Sequence, residues 1–450
     1  MPIVASLIAF PSRAALVGLC VMLGACATYA PRPLDLHAAP KHQRDELRNA
    51  ADLSERLTIG DIERLALDNN PELIAARRRR GVGQAQMRSA AILPNPVFNA
   101  SYGELLSGPG TADALAAGLT QDLKSLVTLS SRRNASQHLL QAINADLLWQ
   151  EWQTLGKARL LAVDIIQGDR QLELLRANAA LWEGRIERER RALGRADISL
   201  SAFAPELAAL ADARRQRDDS ERQQRSRRRD LAALLGLSPQ VALELDERIE
   251  LPQLDAAAVR NELPGLADRR PDLIALRLGY LAQEDRVRGA ILAQFPALAF
   301  GFGGGRDTSD VRTFGPQITL DLPLFDRNQG NIAQERASRE QLHAEFEARL
   351  IAAKGDVEAM LADQQTLREQ LGAKKELLAS METVAASALS AYSSGDLDAR
   401  GYVDLMTTRN ARQQEILALQ STLLEQQIAM ATLIGAGMPA ATLPDVEKTQ

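Results

Sequence analysis

Apolar residues recur at steps of three and four along two long stretches that contain no proline, Lys124–Ala204 and Leu324–Met438. In the first, the stripe runs Leu148, Trp152, Leu155 and then Leu172, Leu175, Ala179, Trp182, Ile186. In the second it runs Leu342, Phe346, Leu350, Ala353, Val357, Met360. A stripe averaging about 3.5 residues favours long helices packed as coiled coils. A helix from about Ser130 to Leu193 would be on the order of 95 Å long, a strut rather than an element of a compact core. Each strut breaks at a glycine-bearing segment, Gly194-Arg195-Ala196-Asp197-Ile198-Ser199 and Ser394-Gly395-Asp396-Leu397-Asp398. A helix returns from each break, from about Phe203 to Leu235 before Gly236, and to Ile434 before Gly435.

The period changes to two in four places. Phe98, Ala100 and Tyr102 alternate with polar residues, and a second alternating strand carries Leu115, Ala117, Leu119 and Leu123. The spans Pro296–Gly304 and Thr313–Leu322 keep a period of two, with Leu298, Phe300 and Phe302 on one side of the first and Phe314, Ile318, Leu320 and Leu322 on one side of the second, and a polar turn at Arg306–Asp310 lies between them. Strict alternation predicts strands apolar on one face. Two of the strands sit inside an internal duplication. Residues 70–103 and 270–303 align without a gap at an offset of 200, with nine identities in 34 positions, among them Pro71/Pro271, Arg77/Arg277, Pro96/Pro296 and Gly103/Gly303. In each copy a proline opens a helix, a second proline ends it and a strand follows. One structural unit is used twice. Ahead of the first copy, Asp61 is the expected N-cap of a helix reaching about Asp68, and residues 239–268 are expected to be an acidic linker.

The strands are the right length to cross a bilayer when tilted. Four strands cannot close a barrel, and open edges in hydrocarbon leave backbone groups unsatisfied at several kcal/mol each, so closure requires further copies of the chain. The predicted fold class is therefore an α+β membrane protein, with long antiparallel helices forming a helical barrel and four transmembrane strands per chain. The N-terminus fits export. Arg13 precedes an apolar run, Ala14–Ala25, too short to span a bilayer, and Leu23-Gly24-Ala25-Cys26 reads as a lipobox with Cys26 lipidated. Of two cysteines, Cys20 lies in the removed segment, so the mature chain cannot form an internal disulfide.

Composition narrows the remaining classes. With 46% apolar but only 4% aromatic residues, the chain has the make-up of long helices rather than of compact cores. The net charge of −5 and the acids and glutamines within Arg214–Arg229 argue for a solvated helix face and against nucleic-acid binding. No catalytic constellation is present. His37, His42, His138 and His343 are scattered and read as surface positions, so no metal site and no cofactor are expected. Gly301-Phe302-Gly303-Gly304-Gly305 is followed by a turn, not a helix, and reads as strand glycine rather than a phosphate loop. Trp149, Trp152 and Trp182 read as packing residues on the struts.

The duplication, the helix–proline–strand unit and the glycine-centred breaks together make the chain similar to the TolC-type outer-membrane efflux proteins, across essentially the whole mature sequence. The stretch Leu322-Pro-Leu-Phe-Asp-Arg-Asn-Gln-Gly-Asn-Ile-Ala333 is most similar to the heavy-metal, CzcC-like branch. The resemblance implies a homotrimer with a 12-stranded β-barrel in the outer membrane and a helical barrel across the periplasm. It implies a passive exit duct, not an enzyme, energised by an inner-membrane RND pump through a periplasmic adaptor. Multidrug efflux and type I protein secretion are the alternatives within the family, and a periplasmic coiled-coil lipoprotein the alternative outside it. The expected layout is a signal peptide 1–25, a lipidated leader 26–55, repeats 56–238 and 269–438, the linker between them, and a tail 439–450. Carried over, the adaptor-docking tips are Gly194, Asp197 and Ser199, with Gly395, Asp398 and Gly401 in the second repeat. The gate carboxylate falls on Asp404, at a longer spacing from Gly395 than the family's usual one, and Asp398 also suits a helix N-cap.

Overall fold

A computed structural model describes residues 29–49 and 55–439. Contacts divide the chain into two units, Met1–Pro40 and Lys41–Gln450, and every helix and strand among the described residues belongs to the second. Cys26 and the segment after Pro439 lie outside the described residues.

Two helices lead into the first strand pair, α1 (Ile59–Asn69) and α2 (Pro71–Ala90). Strands β1 (Val97–Gly103) and β2 (Ala114–Asp122) pass into α3 (Lys124–Gly194), and α4 (Leu200–Leu234) returns. Two short helices then bridge to the second repeat, α5 (Ala256–Glu262) and the single turn α6 (Leu266–Arg269), and α7 (Pro271–Leu292) opens it. Strands β3 (Leu298–Arg306) and β4 (Arg312–Leu320), then α8 (Gln329–Ser394) and α9 (Ala399–Ile434), complete the chain. The segment expected to be a linker is thus partly helical, with Asp255 capping α5 through the amides of Ala257 and Ala258. At 71 residues α3 is about 106 Å long.

Local chemistry sets the element ends. α1 is capped one turn earlier than Asp61 suggests. Thr58 is the N-cap, and Asp61 completes a capping box by accepting the Thr58 amide at 3.1 Å. α3 begins at Lys124 rather than near Ser130 because Asp122 accepts the amides of Lys124 and Ser125, at 2.9 and 3.2 Å. Leu123 therefore leaves the strand. In the second repeat β3 starts two residues after Pro296 and β4 ends three residues before Pro323, while Pro316 is accommodated inside β4 because that strand is an edge. At the head of the duplicated helices Asn70 caps α2 through the amide of Leu73, whereas Arg270 instead grips Asp272 in a buried bidentate pair and lies over the Trp149 ring.

Burial is concentrated in several small clusters. The largest joins α1 (Ile62, Leu65), the middle of α3 (Ala162, Val163, Ile165) and the end of α4 (Leu231, Leu235), with Leu47 from the expected leader. A second joins α8 (Val357, Leu361) to the end of α9 (Met430, Ile434). The two helical hairpins end alike at glycines with positive φ, Gly236 at +72° and Gly435 at +79°. A Cβ on Gly435 would stand 2.4 Å from the Trp152 ring, while one on Gly236 would stand 3.2 Å from the Asn69 carbonyl. Gly435→Ala is therefore expected to cost on the order of 2–4 kcal/mol, through strain plus a clash in the core, and Gly236→Ala about 1 kcal/mol. Denaturant titration followed by far-ultraviolet circular dichroism checks the order; equal losses would contradict it.

Candidate functional site: an exposed sheet and two hairpin tips

The four strands form one antiparallel sheet in the order β1-β2-β3-β4. The long helical excursion between β2 and β3 does not part them: Leu119 faces Phe302 and Gly118 faces Gly303. Register therefore carries each face across both repeats. On one face Phe98, Leu119, Phe302 and Pro316 form a row, with Phe300 beside Ile318 and Leu298 beside Leu320. These side chains are not covered. Phe98 is 68% exposed, Ile318 67% and Phe314 81%. The opposite face carries Asn99, Ser101, Thr120, Gln317 and Thr319 with Gly118, Gly301, Gly303 and Gly305. At Gly301 a Cβ would strike the Leu119 carbonyl of the neighbouring strand, so the glycines mark where the sheet bends tightly. At one end of the sheet the Thr111 and Ala112 amides donate to the Thr308 carbonyl, tying the two strand loops together.

A face of aromatic and branched residues open to the surroundings, backed by a polar one, is the arrangement of a sheet with lipid on one side and water on the other. β1 and β4 are both edges, each with a row of unpaired backbone groups. Among the described residues no helix is long and apolar enough to cross a membrane.

The hairpin tips lie at the opposite ends of the long helices. In the first, Asp197 closes the turn after Gly194: its amide donates to the Ala192 carbonyl and its carboxylate accepts from Arg195 Nε at 2.8 Å. Ser199 is the N-cap of α4, accepting the Ala202 amide. In the second, Gly395 takes φ +86° at the end of α8, and Asp398 caps α9 through the Gly401 amide at 2.7 Å. Gly401 is small because a Cβ would press on Leu397 and on Asp398 Oδ1. Tyr392 and Tyr402 stack beside this turn at 4.8 Å.

Asp404 is not free. Its Oδ1 accepts from Arg185 Nη1 of α3 at 2.5 Å, which ties the second hairpin to the first. The Arg185 side chain is 3% exposed and also donates to Glu189 Oε1 and to Glu206 of α4, while Trp182 lies 4.9 Å from its guanidinium. Arg400 reaches the same Glu206 oxygen at 3.2 Å. Burial opposes the charge on Arg185, but hydrogen bonds and fields from Asp404, Glu206 and Glu189 outweigh it and hold the pKa above the ordinary arginine value. The structure thus brings Asp404 to Arg185, 219 residues away, and leaves Asp197, Ser199 and Asp398 as turn and cap residues. Periodicity and motif do not single out Arg185. Its one signal in the sequence is a charge set inside the apolar stripe between Trp182 and Ile186.

His138 is not an ordinary surface residue: it is half-buried, and its Nδ1 lies 3.1 Å from Asp285 Oδ2. Trp152 is buried and donates to the Pro439 carbonyl. Among the described residues no group of three or more histidine, cysteine or acidic side chains is placed to hold a metal ion.

Residues 263–436, most of the second repeat, match the family model described as outer membrane efflux protein. The chain is 25% identical over 181 residues to the cation efflux system protein CusC of Escherichia coli K12, covering 38% of this chain and 39% of CusC. It is 26% identical over 261 residues to outer membrane protein OprJ of Pseudomonas aeruginosa, covering 55% and 53% respectively. The chain thus spans about two-fifths to one-half of the length of these curated relatives. A crystal structure of CusC matches its fold with a TM-score of 0.67 at 19% identity, over 91% of this chain and 99% of that one.

The tip network generates an ordered prediction. Arg185→Met leaves Glu189, Glu206 and Asp404 without their shared counter-charge, at a cost of about 3–5 kcal/mol. Asp404→Asn removes a half-exposed partner and should cost about 1 kcal/mol or less. Chemical denaturation of both variants checks the difference. An Arg185→Met chain as stable as the wild type would refute the network's structural role.

Proposed function

We propose that this chain is one subunit of a homotrimeric exit duct of the outer membrane, not an enzyme, that passively exports cargo handed over by a periplasmic adaptor and an inner-membrane RND-type pump. The observation that carries the reading is the four-stranded sheet, whose apolar face is bare and whose two edges are open. Three such sheets joined edge to edge would give a 12-stranded barrel with its polar, glycine-rich face lining the lumen, and no backbone group left facing lipid. The helices supply the reach, since α3 alone is about 106 Å long.

Heavy-metal cations are the proposed cargo. The similarity to a cation efflux system protein and the junction Leu322–Ala333 support this class. Cys26 is proposed as the lipidated residue that anchors the mature chain to the outer membrane. The tips around Gly194, Asp197 and Ser199, and around Gly395, Asp398 and Gly401, are proposed to dock the adaptor. Asp404 is proposed as the gate carboxylate. While the hairpins are packed together its charge is engaged by Arg185, and release of the second hairpin would free three copies of it to ring the pore with negative charge.

A strain lacking this gene tests the cargo. Growth inhibition is recorded for zinc, cobalt, cadmium, nickel, copper and silver salts beside a panel of lipophilic drugs. The expected result is sensitisation to a subset of the metals, reversed by the wild-type gene. Sensitisation to drugs alone would move the chain to multidrug efflux and reject the metal reading.

A further inference from the structure

The two hairpins of one chain meet where α3 packs on α9, and the register of that contact is fixed at three points. A Cβ on Gly435 would strike the Trp152 ring, and one on Gly156 would stand 2.7 Å from Thr432 Oγ1. Further along, Arg185 binds Asp404. The helices run in opposite directions, so each step up α3 is a step down α9. Asp164 lies about two turns past Gly156, and Glu425 about two turns before Thr432. Two carboxylates therefore stand level across the seam, with Leu161 and Ile428 packed in the cluster beside them.

One cation serves both acids. Asp164, with 19% of its side chain exposed, has Arg227 of α4 at 3.9 Å. Glu425 is half-buried, and among the described residues no cation lies within ion-pair distance of it. It is also the one charged residue of α9 beyond Glu415. Other charges around the pair are engaged or distant. Arg159 of α3 grips Glu63 of α1, Asp169 accepts from Gln224 and Arg228 of α4, and Lys157 is exposed two turns away. Lys374 of α8 meets Glu415 of α9, which sets the neutral Gln364 level with Glu425. Arg368 donates to that glutamine at 2.8 Å, and Asp363 before it is exposed. Burial raises the Asp164 pKa against the pull of Arg227, and burial with the field of Asp164 raises that of Glu425. Both acids thus bind a proton more tightly with the seam packed than with it open. Packing is strongest in acid and weakens as pH rises from the ordinary carboxylate range through the raised values.

We propose that Asp164 and Glu425 form a proton-operated catch between the two hairpins. A proton on either carboxylate leaves the other balanced by Arg227, and its loss sets two anions against one cation and loosens the seam. The acids titrate as a pair, since the charge of each is felt by the other. The catch lies about 32 Å along α3 from the link between Arg185 and Asp404. Both sit on the contact that must part for the second hairpin to move away, so proton loss at one favours release at the other. The catch itself stands on packing within one chain; its bearing on opening rests on the duct reading.

The test uses the full chain in mild detergent, with amide hydrogen exchange of residues 161–168 and 421–428 read by mass spectrometry. Wild type and Glu425→Gln are compared at the same pH, so intrinsic exchange rates cancel. At about pH 7.5 the variant, equal in size but uncharged, should exchange more slowly by on the order of tenfold, the equivalent of one pKa unit. The difference should close as pH falls toward about 4, and adding Asp164→Asn should give no further protection. Equal exchange at every pH, or faster exchange in Glu425→Gln at neutral pH, overturns the catch. In a second arm, single-channel currents are recorded in planar bilayers. Wild type should conduct more at about pH 7.5 than at about pH 5, and Glu425→Gln should flatten that profile. Identical profiles overturn the link to opening. A wild-type chain that forms no channel overturns the duct reading, while the exchange arm still decides the catch.

Discussion

Everything in this molecule answers to the hydrogen bonds that β1 and β4 cannot make alone. A sheet with one apolar face belongs in hydrocarbon, yet each unpaired edge group there costs several kcal/mol. Four strands with two open edges are therefore a fragment of a structure, and the chain is built to be completed. The duplication is the economical source of the fragment. Two copies of helix, proline and strand give two hairpins whose register across β2 and β3 keeps the aromatics on one side and Gly118, Gly301, Gly303 and Gly305 on the other. The helices inherit their order from the strands, so the order of strands in a closed sheet becomes the order of helices in a tube.

That geometry explains why the core is broken into small clusters. A single layer of helices wrapped around a lumen has two wet faces and only narrow seams between neighbours, which suits alanine and leucine and leaves little room for aromatic rings. Larger clusters occur only where a second layer is added. α1 and the segment around Leu243 thicken the middle of α3 and α4, and α5 with Leu263 thickens the contact of α8 with α9. Polar contacts join elements as well. Arg159 with Glu63, Arg270 with Asp272 and Arg185 with its three acids are all buried on the arginine side. The guanidinium suits these places because it is weakly hydrated and satisfies several partners at once.

Much of this was legible in the sequence because periodicity is a local property. The stripes marked the long helices, alternation marked the strands, and the repeat foretold that the hairpins would match down to Gly236 and Gly435. What local patterns could not show were contacts made through side chains at element ends or across the chain. Asp122 extends α3 by about six residues because its carboxylate caps two amides, while alternation alone favoured keeping Leu123 in the strand. Thr58 displaced Asp61 as a cap because the two act together in a box. The helical content of the segment expected as a linker was hidden by its short elements, which lack room for a period. Arg185 was invisible because its partners lie on α4 and α9 and reach it only when the hairpins pack.

The tips show why charge was placed where an apolar seam would have served. A buried pair removed from water gains little stability over a greasy contact of the same size, so stability is a poor account of Arg185. Its partners differ in exposure in a way that matters more. Glu206 is as buried as the arginine, whereas the Asp404 side chain is 56% exposed. The link within the first hairpin is thus shielded and the link to the second is open to water. If α9 moves away, Asp404 regains its hydration and Arg185 keeps Glu189 and Glu206, so neither side is left as an unpaired buried charge. An apolar seam would have to expose hydrophobic surface to part. The tip can therefore be firm within one hairpin and separable between two.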